Sequence, residues 1–169
     1  VVIANFQRGG PGIGTIQPAQ QDYMQATHAS GNGGFRMLVL SPSTLQEAVD
    51  MTWEAFELAD KYHNPVILLM DGFTGTMMEP VVLPDPLTDE QIAAIRATKT
   101  YAATGKKGGP QHKVMCGPGL DTRVSQMQMN IQADEMYRGW KETEVDYEDY
   151  LNEDAEIILT AYGISGRIA

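Results

Sequence analysis

The sequence predicts an α/β protein built on a parallel sheet, and three observations carry that expectation. Short apolar runs at Val1–Phe6 (VVIANF), Arg36–Leu40 (RMLVL) and Val66–Met70 (VILLM) lack the polar alternation of a half-exposed strand and read as strands covered on both faces. A long amphipathic stretch, Ser43–Tyr62, separates the second run from the third. Strand, helix and strand in succession make a βαβ unit, which forces its two strands to run parallel.

Each element has a local cause. Val1–Phe6 is the first strand and leads straight into the loop RGGPGIGTIQP, Arg8–Pro18. From Pro18, whose missing N–H is harmless in a first turn, a short helix is expected to about His28. Gly31, Asn32, Gly33 and Gly34 mark a turn. Arg36–Leu40 is apolar enough for a central parallel strand. Ser43 with Gln46 predicts a capping box. Leu45, Ala48, Val49, Thr52, Ala55, Phe56, Ala59 and Tyr62 share one helical face, and Glu47, Asp50, Glu54, Glu57 and Lys61 take the solvated one. Asn64-Pro65 stops this helix. Asp71-Gly72-Phe73 leaves the third strand at the edge where the Arg8 loop emerges, provided the strands are parallel.

From Glu79 the character changes. Pro80, Pro84 and Pro86 make a stiff connector, and Thr88 with Gln91 predicts a second capping box, opening a helix to about Thr98. Gly105–Gly119 is a glycine- and proline-rich connector. Val124–Trp140 is a predicted helix with Met129, Ala133, Met136, Tyr137 and Trp140 on one stripe. Glu142–Glu156 reads as an exposed acidic linker. Ala155–Tyr162 (AEIILTAY) is a predicted strand, and Gly163-Ile164-Ser165-Gly166-Arg167 a turn into the next helix. That turn lacks the G-x-S-x-G spacing of a nucleophile elbow.

With 169 residues, 43% of them hydrophobic, and a formal charge of −10, the chain has material for a core. The charge argues against nucleic acid and against anionic membrane surfaces as partners. No apolar run has the length of a spanning helix, and the composition predicts a cytoplasmic protein. The lone cysteine, Cys116, excludes an internal disulfide framework and any cluster held by several cysteines of this chain. The sequence opens inside an apolar strand without methionine and closes where a helix starts, so it reads as the middle of a longer polypeptide.

The chemistry concentrates in the Arg8 loop. Ligands of open α/β sheets sit beyond the carboxyl ends of the strands. Gly9, Gly10, Gly12 and Gly14 let a ligand approach the main chain, and Arg8 carries a planar fork of donors that matches a carboxylate or phosphate. A P-loop would need Gly-Lys-Ser/Thr, and no lysine precedes Asp60. A dinucleotide fingerprint fails on the spacing of Gly12, Gly14 and Thr15 and on Pro18. A small carboxylate suits the loop better, although the residues alone fit equally a tight glycine turn with Arg8 in a surface ion pair. His28, His63 and His112 have no metal-site spacing, and Cys116 has no evident catalytic partner. His63 closes a helix, where positive charge suits the dipole.

The segments VVIANFQRGGPGIGTIQPAQQDY, LVLSPSTLQEAVDMTWEAFELADKYHNPVILLMDGF and EDAEIILTAYGISGR together resemble the alpha subunit of 2-oxoacid:ferredoxin oxidoreductases. The run from Gly72 to Pro84 is most similar to the 2-ketoisovalerate (branched-chain) type. The resemblance implies a thiamine-diphosphate fold, with residues 1–83 as the C-terminal part of its pyrimidine-side domain. Residues 84–153 would be a connector, and 154–169 the start of a transketolase-C-terminal-like α/β domain. It implies oxidative decarboxylation of a 2-oxoacid to an acyl-CoA, with electrons passing to ferredoxin in anaerobic metabolism. Arg8 matches the family arginine that pairs with the substrate carboxylate. Gly9, Gly10, Gly12, Gly14 and Thr15 match the loop around it, and Asp22 and Asp71 are supporting residues behind it.

The family's Tyr-Pro-Ile-Thr-Pro segment and its thiamine-activating glutamate would lie before Val1. By the same resemblance, thiamine diphosphate and Mg2+ are shared with a thiamine-diphosphate-binding beta subunit, and the iron–sulfur clusters sit on other subunits. This chain alone is expected to hold no cofactor and to be inactive, and homo-oligomers through the alpha subunit are possible. Two other readings stand beside it: a non-catalytic anion-binding or scaffold module, and a piece of another thiamine-dependent enzyme.

Overall fold

The computed structural model describes residues 1–28, 31–102 and 125–169. The three apolar runs pair into one parallel sheet of β1 (Val2–Gln7), β2 (Leu38–Leu40) and β3 (Val66–Asp71), in the order β1-β3-β2. β2 is shorter than the sequence predicts and sits at one end of that order, so β3 alone is central. Its six residues are all buried, which explains why VILLM carries no polar alternation.

Each face of β3 has its own cover. On one side α2 (Leu45–Tyr62) presents Ala55, Leu58 and Ala59 to Val66, with Val2, Leu38, Leu40 and Tyr62 packed around them. On the other, Ile67 and Leu69 meet Ala26 of α1 (Tyr23–His28), with Met37, Val39 and Tyr162 closing over them. The buried stripe of α2 is rotated from the predicted face. Leu58 replaces Phe56, which is 59% exposed, because α2 approaches β3 through its small alanines.

The caps also differ from expectation. Thr44, not Ser43, is the N-cap of α2 and accepts from Glu47 N at 3.1 Å. Glu47 reaches back to Ser43 N and Oγ at 2.7 and 2.9 Å, a charge-assisted bond that outcompetes the Gln46 amide. Gln46 is then free to hold the connector through Val82 N and O at 2.8 and 3.1 Å. His63 caps the other end with φ 49, in the left-handed region. α1 starts at Tyr23 rather than Pro18, since Pro18 is bridged antiparallel to Arg8 and belongs to the loop.

The chain divides into Val1–Asp85 with Glu153–Ala169, and Pro86–Asn152. In the second unit α3 (Asp89–Thr98) opens with the predicted Thr88–Gln91 capping box. α4 (Gln126–Thr143) opens with a Ser125–Gln128 box that the sequence analysis did not single out. Ala133, Met136, Tyr137 and Trp140 form its covered stripe, while Met129 is exposed. The acidic residues 142–156 are exposed almost throughout. The predicted strand at Ala155–Tyr162 is not formed, for no strand lies alongside it among the described residues; α5 (Gly163–Ile168) follows. The Gly105–Gly119 connector, with His112 and Cys116, lies outside the described residues.

Leu69, 1% exposed and packed on the α1 side, is the side chain whose truncation tests this core. Leu69→Ala should cost about 2–5 kcal/mol, read as a lower urea midpoint at unchanged slope. A loss below about 1 kcal/mol would mean that the α1–Tyr162 layer does not pack there.

Candidate functional site

The unbroken register from Val2↔Val66 to Gln7↔Asp71 brings the carboxyl ends of β1 and β3 to one level. Gly72 N extends the ladder by donating to Gln7 O at 3.3 Å. Both strand exits therefore open side by side, at the edge where parallel sheets hold ligands.

The loop leaving β1 closes on itself. Arg8 bridges Pro18, Gly9 N donates to Gln17 O at 3.3 Å, and Thr15 N donates to Gly9 O at 2.8 Å. Thr15 Oγ1 accepts from Gln17 N at 3.3 Å, a further bond within the loop. Gly10 N donates to Gln21 Oε1 at 2.6 Å. Gly14 has φ +63, and a Cβ there would overlap Gly9 O; no other residue type fits.

Arg8 itself is exposed, and its side chain has no ion pair or hydrogen bond among the described residues. Behind it Gln7 is 1% exposed. Gln7 Oε1 accepts from Asp22 N at 3.1 Å and Tyr162 OH at 3.3 Å. Gln7 Nε2 is buried without a hydrogen-bond partner among the described residues. The Asp22 carboxylate accepts from Asn5 Nδ2 at 3.4 Å. Asp71, 2% exposed, accepts from Thr74 N at 2.9 Å, Thr74 Oγ1 at 3.2 Å and Ile164 N at 3.3 Å. The Asp71 carboxylate is thus engaged through both oxygens, whereas Asp22 makes one long contact.

Sequence reasoning brought Arg8, the glycines, Thr15, Asp22 and Asp71 to this edge but missed Gln7, Gln20 and Tyr162. Burial pushes the Tyr162 phenol up. Its bond to Gln7 opposes that shift, and Tyr23, Asp71 and Asp22 reinforce it. The phenol is therefore a neutral donor at ordinary pH. Glu79 is held below the usual carboxylate range by its 2.6 Å bond to Arg167. An open apolar groove of about 690 Å³ lies on the α2 side between Phe6, Phe56, Met70 and Met77. Its one acid, Glu79, is the one already paired with Arg167.

Fold and loop together define a parallel-sheet domain with an exposed arginine at its ligand edge. Residues 1–149 match the family described as pyruvate flavodoxin/ferredoxin oxidoreductase, thiamine diP-bdg, and the chain belongs to that family. It is 42% identical over 168 residues to ketoisovalerate oxidoreductase subunit VorB of Methanothermobacter marburgensis, covering 99% of this chain and 46% of that one. It is 29% identical over 192 residues to 2-oxoglutarate synthase subunit KorA of Methanocaldococcus jannaschii, covering 98% of this chain and 50% of the other. The chain thus spans about half the length of these curated relatives. The 2-oxoglutarate:ferredoxin oxidoreductase of Magnetococcus marinus, solved with 2-oxoglutarate, coenzyme A and succinyl-CoA bound, shares the fold. The TM-score is 0.56 at 23% identity, over 88% of this chain and 29% of that one.

A diphosphate is commonly held through a magnesium ion bound by one or two carboxylates. Among the described residues no three His, Cys, Asp or Glu side chains converge as a metal set, and Asp22 and Asp71 are internally bonded. The described residues do not form a magnesium–diphosphate cradle at this edge.

Gly12, at φ +65 with open space around it, gives a control for Gly14. Gly12→Ala should cost about 1–2 kcal/mol. Gly14→Ala should cost more, because it must also break the Thr15 N–Gly9 O bond; denaturation and limited proteolysis within residues 8–18 compare the two. Equal effects would mean that the loop is not closed at Gly9.

The acid-side behaviour of the Glu79–Arg167 pair is also testable. A carboxylate depressed in the folded state contributes stability above its ordinary range and loses it as pH falls through the depressed value. In Arg167→Gln the Glu79 midpoint should rise in a side-chain NMR titration; an unmoved midpoint would exclude the pair.

Proposed function

We propose that this chain is part of the alpha subunit of a 2-oxoacid:ferredoxin oxidoreductase, acting in CoA-dependent oxidative decarboxylation of a branched-chain 2-oxoacid. What supports the reading is the exposed Arg8 guanidinium at the carboxyl end of β1, unpaired among the described residues, in a chain of this family. The branched-chain assignment draws on the 42% identity to a ketoisovalerate oxidoreductase subunit.

In this reading Arg8 binds the substrate carboxylate through paired N–H donors. That contact fixes the keto carbon next to the acid group and leaves it free to react. Gly9, Gly10, Gly12, Gly14 and Thr15 shape the backbone under it, and Asp22 and Asp71 hold the two neighbouring exits. Thiamine diphosphate, bound with Mg2+ largely by a partner subunit, supplies the carbanion chemistry. Iron–sulfur subunits then carry electrons to ferredoxin in the cytoplasm. Residues 1–83 form the pyrimidine-side domain, 84–153 the connector, and 154–169 the junction with a following α/β domain. Among the described residues no helix is long and apolar enough to cross a membrane.

The bound carboxylate is the group that departs as carbon dioxide, so a grip equally strong throughout raises affinity rather than rate. Arg8→Ala in the assembled complex should therefore raise the KM for the 2-oxoacid by about one to two decades, matching the roughly 1.5–3 kcal/mol of a charge-assisted bond. The change in kcat should be smaller in 2-oxoacid- and CoA-dependent dye reduction. An unchanged KM would remove Arg8 from the site.

A further inference from the structure

Two legs of chain flank Arg8: the outgoing end of β1 at Gln7, and the returning segment from Pro18 to Asp22. The loop's own backbone bonds close it on itself, and the bonds that tie it to the sheet are made elsewhere. Tyr162 OH sits 3.3 Å from Gln7 Oε1 on the outgoing leg and 3.4 Å from Gln20 O on the returning one. One phenolic proton is thus shared between acceptors on both legs. Gln20 answers through its side chain. Its Nε2 donates to Tyr162 O at 2.9 Å, and its Oε1 accepts from Ser165 Oγ at 2.8 Å.

The clamp is held to the sheet by independent contacts. Ile164 N donates to Asp71 Oδ2 at the exit of β3, and Arg167 pairs with Glu79. Gly163, at φ +57, brings the two sides together, since a Cβ would stand 3.1 Å from Gln20 Nε2 and 3.3 Å from Asp71 Oδ2. The Tyr162 ring lies 5.6 Å from that of Tyr23 and closes over Ile67 and Leu69. The phenol is therefore anchored by packing while its hydroxyl bridges the legs.

We propose that Tyr162 and Gln20 are positioning residues for Arg8: they fix both legs of its loop and so set the affinity of the site for the substrate carboxylate. This rests on the proposed role of Arg8 and adds two residues that act on it through the loop's legs. A carboxylate fork tolerates little misalignment, because paired hydrogen bonds weaken together when the guanidinium tilts.

The test uses the assembled complex and Tyr162→Phe, which keeps the ring and removes the bridging hydroxyl. The expected result is a 3- to 10-fold rise in the KM for the 2-oxoacid (about 0.7–1.4 kcal/mol), with kcat and the KM for CoA within about twofold. In an Arg8→Ala background the same change should leave the KM where Arg8→Ala alone puts it, as coupled residues require. A purely structural loss would instead multiply through both backgrounds and lower kcat. Hydrogen exchange over residues 8–22 supplies a readout independent of turnover and should quicken in Tyr162→Phe. Should that variant fail to assemble, Gln20→Glu, which removes the donor to Tyr162 O at equal size, enters the same cycle.

Unchanged exchange, or additive KM effects, would overturn the clamp even if Arg8→Ala behaves as expected. Quickened exchange with an Arg8→Ala KM that does not move would instead overturn the carboxylate role while leaving the loop contact in place.

Discussion

The pairing of Gln7 with Asp71 at the end of the β1–β3 ladder is the contact on which the site depends. Two parallel strands that end level must release their loops together, so the Arg8 loop and the Asp71-Gly72 turn share one edge. A slip of one residue would reverse which face each β1 side chain takes. Gln7 would then leave Tyr162 and Asp22, and Phe6 would leave the apolar groove on the α2 side.

The two faces of the sheet are consequently unlike. On the α2 side the contacts are small and apolar, with Ala55 and Ala59 set on Val66. On the α1 side a polar group is built around Asn5, Gln7, Asp22, Gln20 and Tyr162. Buried polar atoms destabilise unless they find partners, and most here do. They hold backbone and side chains in one arrangement, whereas apolar contacts tolerate sliding. Rigidity is thus placed beneath the loop, and plain packing beneath the helix.

Much of this was legible in the residues, for reasons that also explain the rest. VILLM could only be a strand covered on both faces, and the helix before it supplied the crossover. The Arg8 loop announced itself through glycines that no regular element accommodates. The cap of α2 was misplaced by one residue because Ser43 and Thr44 are both good caps, and only the charge of Glu47 decides between the closures. Ala155–Tyr162 carries a strand's composition, but composition cannot provide a ladder partner. What holds the loop was not legible at all. Gln20 and Tyr162 stand 142 residues apart, and no periodicity or spacing links a glutamine in a loop to a tyrosine at the end of an apolar run. The family resemblance reached the arginine, and the contacts beneath it needed coordinates.

Two arginines of this unit differ in what surrounds them. Arg167 is satisfied by Glu79 at 2.6 Å, and its role ends with that pair. Arg8 belongs to a chain with 22 acidic residues and a net charge of −10, where an exposed guanidinium would ordinarily acquire a carboxylate. Of the acids at this edge, Asp71 is bonded to Thr74 and Ile164, and Asp22 makes one long contact to Asn5. An anion at Arg8 would therefore displace no partner of it among the described residues. The repulsive background of the whole chain matters less at that point, because screening reduces it beyond about 8–10 Å at physiological salt, whereas the guanidinium acts in direct contact. What sets Arg8 apart from Arg167 is thus as much where the neighbouring acids are tied as the arginine itself.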